Sequence, residues 1–361
     1  MSKIRVMIVE DSAVVRLLLQ HIIGSDDRFE IVYLAESAED ALGALERVKP
    51  DVISLDIRLP GMNGLDATLH VMSTNPTPIV VVAASVEGSE LNIAMNALRA
   101  GAVGVVEKPV GTSHDDYETV AKHLCNQLAI MSQVKVVKQA RRGLNFGSPA
   151  PAAPTPPPAP APRQAVPKVV GAVGLVASTG GPNALSRVLS ELPRTFPAPI
   201  FLVQHITPSF LEGFVSWLDG MTELSVRIAD PGEMPLPGFV YLPPMDRHLE
   251  VRQGRLWHSR AEEVCNQRPS GTVLFQSMAR EYGPTAVAAL LTGMGADGAE
   301  GLLAMRKAGA YTIAEDASTC VVYGMPAAAV QLGAASEVLP LPNVARRLIE
   351  LVGTRRRETV A

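Results

Sequence analysis

At 361 residues the chain has room for two domains of roughly 150 residues each. Hydrophobic residues at 47% and charged residues at 19% exclude a wholly disordered protein, and a net charge of −4 argues against a surface that coats nucleic acid. No apolar run approaches the roughly 18 residues that a membrane span needs. Glu10 and Asp11 stand where a signal peptide would continue apolar. A cytoplasmic protein with no nucleic-acid partner and no membrane insertion is expected. Cys125, Cys265 and Cys320 are odd in number and widely spaced, so neither a disulfide framework nor a zinc site follows from them.

The first 125 residues alternate strand and helix. Ile4–Val9 reads as a buried strand, and 14–22 as a helix that Asp11 and Ser12 can cap. A strand over 30–35 precedes an amphipathic helix, Ala38–Val48, ended by Lys49-Pro50. A strand over 51–55, the turn Pro60-Gly61-Met62-Asn63-Gly64 and another helix follow. Strands over 79–84 and 104–106 flank a helix over 90–100, and 114–139 reads as a closing helix. Five βα units of this length predict a flavodoxin-like, doubly wound parallel sheet.

Between Pro149 and Pro167, nine of 19 residues are Pro and six are Ala, so this stretch should behave as a semi-rigid spacer. Net charge is −8 over 1–130, +6 over 131–168 and −2 over 169–361, which places the acidic excess in the first domain. The second half alternates as well. Strands over 169–177, 200–203, 239–242, 286–291 and 311–314 separate helices over 182–190, 209–219, 272–281, 298–308 and 326–332. This predicts a second, Rossmann-like α/β domain with a mainly parallel sheet. The expected division is 1–125, a helix end and linker over 126–168, a second domain over 169–352 and a tail over 353–361.

Ligands of doubly wound sheets sit at the carboxyl ends of strands. Glu10 and Asp11 fall there after the first strand, Asp56 after the third and Lys108 after the fifth. Each acid alone could merely cap a helix, but together they form a hard-oxygen site suited to Mg²⁺ and a carboxylate that can accept a phosphoryl group. These positions resemble the acid pair, phosphoacceptor and lysine of a response-regulator receiver domain. The resemblance implies phosphorylation of Asp56 by a histidine kinase, with Mg²⁺ held by Asp11 and Asp56. Two departures stand out. Ala83 occupies the place of the receiver's Ser/Thr, with Ser85 two places on, and Val105 replaces the aromatic switch residue.

In the second half, Ala177-Ser178-Thr179-Gly180-Gly181-Pro182 joins a buried strand to a helix. A serine on such a turn exposes its hydroxyl, and the helix N-terminus supplies N–H groups for an oxyanion. A nucleotide-binding glycine loop has the same outline, but it would want an acid about 20 residues on. Gln204-His205 stands there instead, which offers a general base. Asp297, in the turn Leu291-Thr-Gly-Met-Gly-Ala-Asp297-Gly298, could cap the following helix or orient His205 as a third triad member.

These stretches, with Arg268-Pro-Ser270, Ala308-Gly-Ala-Tyr-Thr-Ile313 and Gly324-Met-Pro326, are similar to the CheB family of chemotaxis methylesterases. The resemblance covers 169–352. It implies that Ser178, His205 and Asp297 are catalytic and that the backbone N–H of Met294, with Thr179, supports the oxyanion. It further implies hydrolysis of glutamyl methyl esters on methyl-accepting chemoreceptors, deamidation of receptor glutamines, no cofactor for the hydrolysis, and a receiver that covers the site until it is phosphorylated. Gly271-Thr272 stands where the family often has Val-Asp. A DNA-binding response regulator is the rival from another class, disfavoured by the acidic second half. A receiver-tethered binding module with a vestigial site is the third reading. His248 and His258 read as surface or structural residues, and the cluster Lys135, Lys138, Arg141, Arg142 as a solvated face.

Overall fold

The computed structural model describes residues 3–83, 94–98, 100–109, 117–134, 136 and 170–353. Its first sheet contains β1 (Ile4–Val9), β2 (Phe29–Ala35), β3 (Val52–Asp56), β4 (Ile79–Ala83) and β5 (Gly104–Glu107), all parallel, in the order β2-β1-β3-β4-β5. Every residue of β3 and β4 is buried. Helices cover both faces of a parallel sheet, so its strands are continuous apolar runs without alternation.

Two helices of this half carry side-chain N-caps. Ser37 accepts the N–H of Asp40 at the start of Ala38–Val48, and Lys49 ends that helix in the left-handed region. Asn63 caps Gly64–Thr74 by accepting the N–H of Asp66. Ser12 precedes the helix Ala13–Gly24 but makes no side-chain capping bond; its N–H donates to Glu10 Oε1 at 3.2 Å. The closing helix is described over Tyr117–Met131 and ends short of the expected 139; residues 114–116 lie outside the described residues. Of the helix expected over 90–100, residues 94–98 are described as helical, and Ser85 lies outside the described residues.

The second sheet has seven strands: β6 (Ala172–Ala177), β7 (Ile200–Gln204), β8 (Ser225–Ile228), β9 (Phe239–Leu242), β12 (Ala286–Leu290), β13 (Tyr311–Glu315) and β14 (Glu337–Leu339). Their order is β14-β13-β12-β6-β7-β9-β8, and each neighbouring pair is parallel. A separate antiparallel hairpin, β10 (His248–Arg252) and β11 (Arg255–Ser259), lies against the helix Gly271–Tyr282, where Ser277 Oγ accepts the N–H of Val251. Phe201, Phe214 and Phe275 are fully buried beside the sheet, each contributing about 1.5–3 kcal/mol from apolar burial.

From β6 the chain proceeds through β7 to one edge of the sheet, and from β12 to the other. Strand order therefore reverses between β6 and β12, and in the first sheet it reverses between β1 and β3. Each reversal opens a crevice at the carboxyl ends of the strands, the usual ligand position.

Candidate active site

β6 ends at Ala177 and the helix Gly181–Ser190 follows at once, so Ser178-Thr179-Gly180 must turn sharply. Gly180 has φ +78°, and a Cβ there would lie 2.5 Å from Val321 Cβ, so only glycine fits. Ser178 donates its N–H to Thr292 O at 3.0 Å and accepts the N–H of Gly181 at 2.8 Å. Gly293 closes the other side: a Cβ on it would come within 2.7 Å of Ser178 Cβ. The helix that starts here directs unpaired N–H groups and positive potential at the turn.

β7 is the neighbour of β6, with Gln204 opposite Ala177 in register. His205 continues this pairing by donating its N–H to Ala177 O at 3.1 Å, so Ser178 and His205 emerge from adjacent strand ends. The buried Gln204 side chain fastens them: Nε2 donates to Ser178 O at 2.9 Å and to His205 O at 2.8 Å. Gln204→Glu would turn that donor into an acceptor facing two carbonyls. Thermal unfolding is expected to show a loss of about 1–3 kcal/mol, and ester turnover should fall about ten-fold as the two side chains lose registry. An unchanged melting temperature and rate would remove the clamp from the account.

Asp297 lies on the turn after β12 and is buried. Its Oδ2 accepts from His205 Nε2 at 2.9 Å and from Gly271 N–H at 2.6 Å. Its Oδ1 accepts from Ser270 Oγ at 2.6 Å and from Thr272 N–H at 3.1 Å. Burial pushes this carboxyl up, but the hydrogen bonds from His205, Ser270 and Gly271 outweigh it and hold the group down at about 2. The ionised carboxylate needs a donor from His205, so the neutral ring carries its proton on Nε2 and leaves Nδ1 unprotonated.

Two serines thus stand near the acid–base pair, and their surroundings differ. Ser270 Oγ is fully buried, points at Asp297 and caps the helix Gly271–Tyr282 by accepting from Thr272 and Val273. Ser178 is half-buried on the turn; its hydroxyl makes no hydrogen bond to His205 among the described residues. The structure therefore joins acid to base and places the serine turn at the neighbouring strand end. Among the residues not singled out by role, Ser270 and Gln204 hold the site. His248 proves to be a fully buried structural residue: Nδ1 accepts the N–H of Ser270 at 3.1 Å and Nε2 lies 3.1 Å from Glu262 O. Met294 is 56% exposed beside the serine turn, and its N–H has no backbone acceptor among the described hydrogen bonds. Thr179 is buried, with its carbonyl accepting from Thr292 Oγ1 at 2.9 Å.

The first sheet gathers the other expected cluster. Oxygens of Glu10, Asp11 and Asp56 lie within 4.8 Å of one another, and Lys108 Nζ bridges Asp56 Oδ2 at 2.8 Å and Glu10 Oε2 at 2.9 Å. Burial and the neighbouring Asp56 push the Glu10 carboxyl above its ordinary range, against the pull of Lys108. Burial pulls Lys108 down, but its hydrogen bonds to Asp56 and Glu10 more than reverse this and keep it charged. Three oxygen donors at this spacing, one of them exposed, suit a hard divalent cation such as Mg²⁺. Ala83 is buried and reaches the pocket only through its carbonyl, which accepts the Lys108 N–H at 2.8 Å.

Comparison with known proteins covers both halves of the chain. Residues 6–116 match the response regulator receiver domain, and 173–348 match the CheB methylesterase family. The chain is 61% identical over 351 residues to protein-glutamate methylesterase/protein-glutamine glutaminase 2 of Paramagnetospirillum magneticum, covering 97% of this chain and 98% of the relative. It is 43% identical over 353 residues to the corresponding protein of Nitrosospira multiformis, covering 98% of each. Among solved structures, the CheB methylesterase catalytic domain of Thermotoga maritima is 39% identical, with a TM-score of 0.49 over 51% of this chain and 100% of that one. With two relatives matched along almost their whole length and both functional clusters in place, the chain belongs to the CheB family of protein-glutamate methylesterases/protein-glutamine glutaminases.

Proposed function

We propose that this chain removes methyl groups from glutamyl esters of chemoreceptors, and amide groups from their glutamines, under control of a kinase that phosphorylates Asp56. The observation that carries the reading is the His205–Asp297 pair at 2.9 Å, standing at the strand end next to the Ser178 turn. In the reaction, Nδ1 of His205 takes the Ser178 proton as Oγ attacks the γ-carbonyl carbon. The oxyanion forms beside the N–H groups of the turn and of Met294, and methanol leaves with the proton returned by His205. Water then enters, gives a proton to the same nitrogen and attacks the acyl carbon; the bond to Ser178 Oγ breaks, glutamate leaves and His205 returns the proton to the serine. Ammonia replaces methanol when the substrate is a glutamine. The triad alone accounts for this hydrolysis, so no cofactor is assigned to it.

The proposed division is a receiver over 1–125, a helix end and linker over 126–168, a hydrolase over 169–352 and a tail over 353–361, acting in the cytoplasm. Among the described residues no helix is long and apolar enough to cross a membrane. Asp11 and Asp56, with Glu10 behind them, would hold Mg²⁺, which when bound offsets charge on the transferring phosphoryl group. Lys108 neutralises the Asp56 side of the pocket. Two contacts support coupling between the halves: Asn183 Nδ2 donates to Leu98 O at 2.8 Å, and Val321, which packs over Gly180 beside Ser178, also packs against the receiver core.

Methanol release from methylated receptor membranes tests the reading. The purified chain should release methanol, and a small-molecule phosphodonor with Mg²⁺ should raise the rate. Asp56→Asn is expected to keep the basal rate and abolish the increase, because the amide cannot accept the phosphoryl group. Absence of methanol under both conditions would overturn the esterase assignment, and an increase that survives Asp56→Asn would overturn the phosphorylation site.

A further inference from the structure

Glu315, the last residue of β13, is fully buried and belongs to neither cluster described above. Its Oε2 accepts the N–H of Thr292 at 2.8 Å, and its Oε1 accepts from Thr319 Oγ1 at 3.0 Å. No cation bridges this carboxylate among the described residues. Its charged neighbour is Asp316, and the weakly polar Cys320 thiol lies close by, 3.9 Å from the Glu315 carbonyl. A buried carboxylate without a counter-charge is expensive, so its retention calls for a physical reason.

Thr292 supplies one. The β12–β13 ladder ends at the pair Leu290–Ala314, and Leu291 turns its N–H to Val176 O instead. Beyond the ladder, the Thr292 N–H would be a buried donor without an acceptor unless a side chain replaced the missing strand carbonyl. Glu315 is that replacement. With its N–H held, Thr292 gives its carbonyl to Ser178 N–H at 3.0 Å and its hydroxyl to Thr179 O at 2.9 Å, and accepts the N–H of Val322 at 2.9 Å. One residue thus fixes the backbone of the serine turn and leads directly into Gly293-Met294.

We propose that Glu315 is a positioning residue for the hydrolysis: as a hydrogen-bond acceptor it sets Thr292, and through it the oxyanion-side backbone around Ser178. This rests on Ser178 being the nucleophile, as argued above. What is required is the acceptor, so Glu315→Gln should serve: its carbonyl takes the Thr292 N–H and its amide donates to Thr319 Oγ1. Glu315→Leu fills the space and offers no acceptor.

Two readouts on the full chain test this: steady-state ester hydrolysis, and the rate at which a fluorophosphonate labels Ser178, which also builds up charge at the oxyanion position. Glu315→Leu is expected to lower kcat and the labelling rate by about 10- to 100-fold with KM within about two-fold, while Glu315→Gln stays within about two-fold of the parent in both. Burial, then Asp316, raises the Glu315 carboxyl above 4.5, so the folded state binds its proton more tightly and loses stability as pH rises above 4.5. Glu315→Gln should therefore melt higher than the parent at pH 8, with the gap closing below pH 4.5. A folded Glu315→Leu with parental kcat, a loss confined to KM, or a Glu315→Gln as slow as Glu315→Leu overturns the proposal. Should Glu315→Leu fail to fold, Thr319→Val is read in its place: slower labelling supports the role and an unchanged rate overturns it. A parent chain that labels with fluorophosphonate but releases no methanol would count against the proposed substrate and leave this comparison intact.

Discussion

Ser178→Ala is expected to lower methanol release by about 10⁴- to 10⁶-fold, while Ser270→Ala retains a rate within about a hundred-fold of the parent. The Ser178 turn lies at the strand end next to His205, whereas proximity to the acid alone would favour Ser270, whose Oγ is 2.6 Å from Oδ1. The surroundings reverse that choice. Ser270 donates its one proton to a carboxylate that is ionised, and its lone pairs take the Thr272 and Val273 N–H groups, so no lone pair or solvent path remains for a substrate. Ser178 stands at a strand-to-helix turn with N–H groups around it, which is the environment an attacking oxygen needs. Loss of Ser270 should appear mainly as a weakened helix cap, about 1 kcal/mol in unfolding, together with a slower reaction from a less firmly held Asp297. Ester turnover and fluorophosphonate labelling of the two variants check this, and an active Ser178→Ala with an inert Ser270→Ala would exchange the two roles.

Much of this site was legible in the sequence because parallel strands are read twice, once as apolar runs and again as the residues that follow them. Ser178, His205 and Asp297 each directly follow or lie just beyond a run that needs burial on both faces, and so do Asp11, Asp56 and Lys108. The sheet then sets these ends side by side without further instruction. Other parts carried no such signal. β8 and β14 are edge strands of four and three residues, too short for a period. The β10–β11 hairpin turns at Gln253-Gly254, both at positive φ, where Asn-Gly or Asp-Gly would have announced the turn. Ser270, Gln204 and Glu315 act through hydrogen bonds to groups far along the chain (the Asp297 carboxylate, the Ser178 carbonyl and the Thr292 N–H), and their residue types alone read equally well as a helix cap, a strand end and a surface acid. The partner group decides among these, and only the fold supplies it.

Asp297→Asn is the second large effect, expected to reduce kcat about ten-thousand-fold with little change in KM. The carboxylate is held by four donors: two main-chain N–H groups at the start of the helix Gly271–Tyr282, the Ser270 hydroxyl and His205 Nε2. An asparagine has one acceptor oxygen and must turn its amide nitrogen towards either the Ser270 side or the His205 side. Facing Ser270 and Thr272, the amide would meet donors. Facing His205, it would favour the tautomer with the proton on Nδ1, the nitrogen proposed to receive the Ser178 proton. Either way, the imidazolium that forms during attack loses its counter-charge. The same substitution reads out in stability. The native carboxyl lies at about 2 against an ordinary 3.8, a difference worth roughly 2–3 kcal/mol. Because the folded value is the lower one, that stability is fully present above pH 3.8 and is lost as pH falls through about 2. Melting curves of the parent chain and Asp297→Asn should therefore be far apart at neutral pH and converge in strong acid. A gap that stays constant down to pH 2 would mean that the helix N-terminus and His205 do not hold the charge in place.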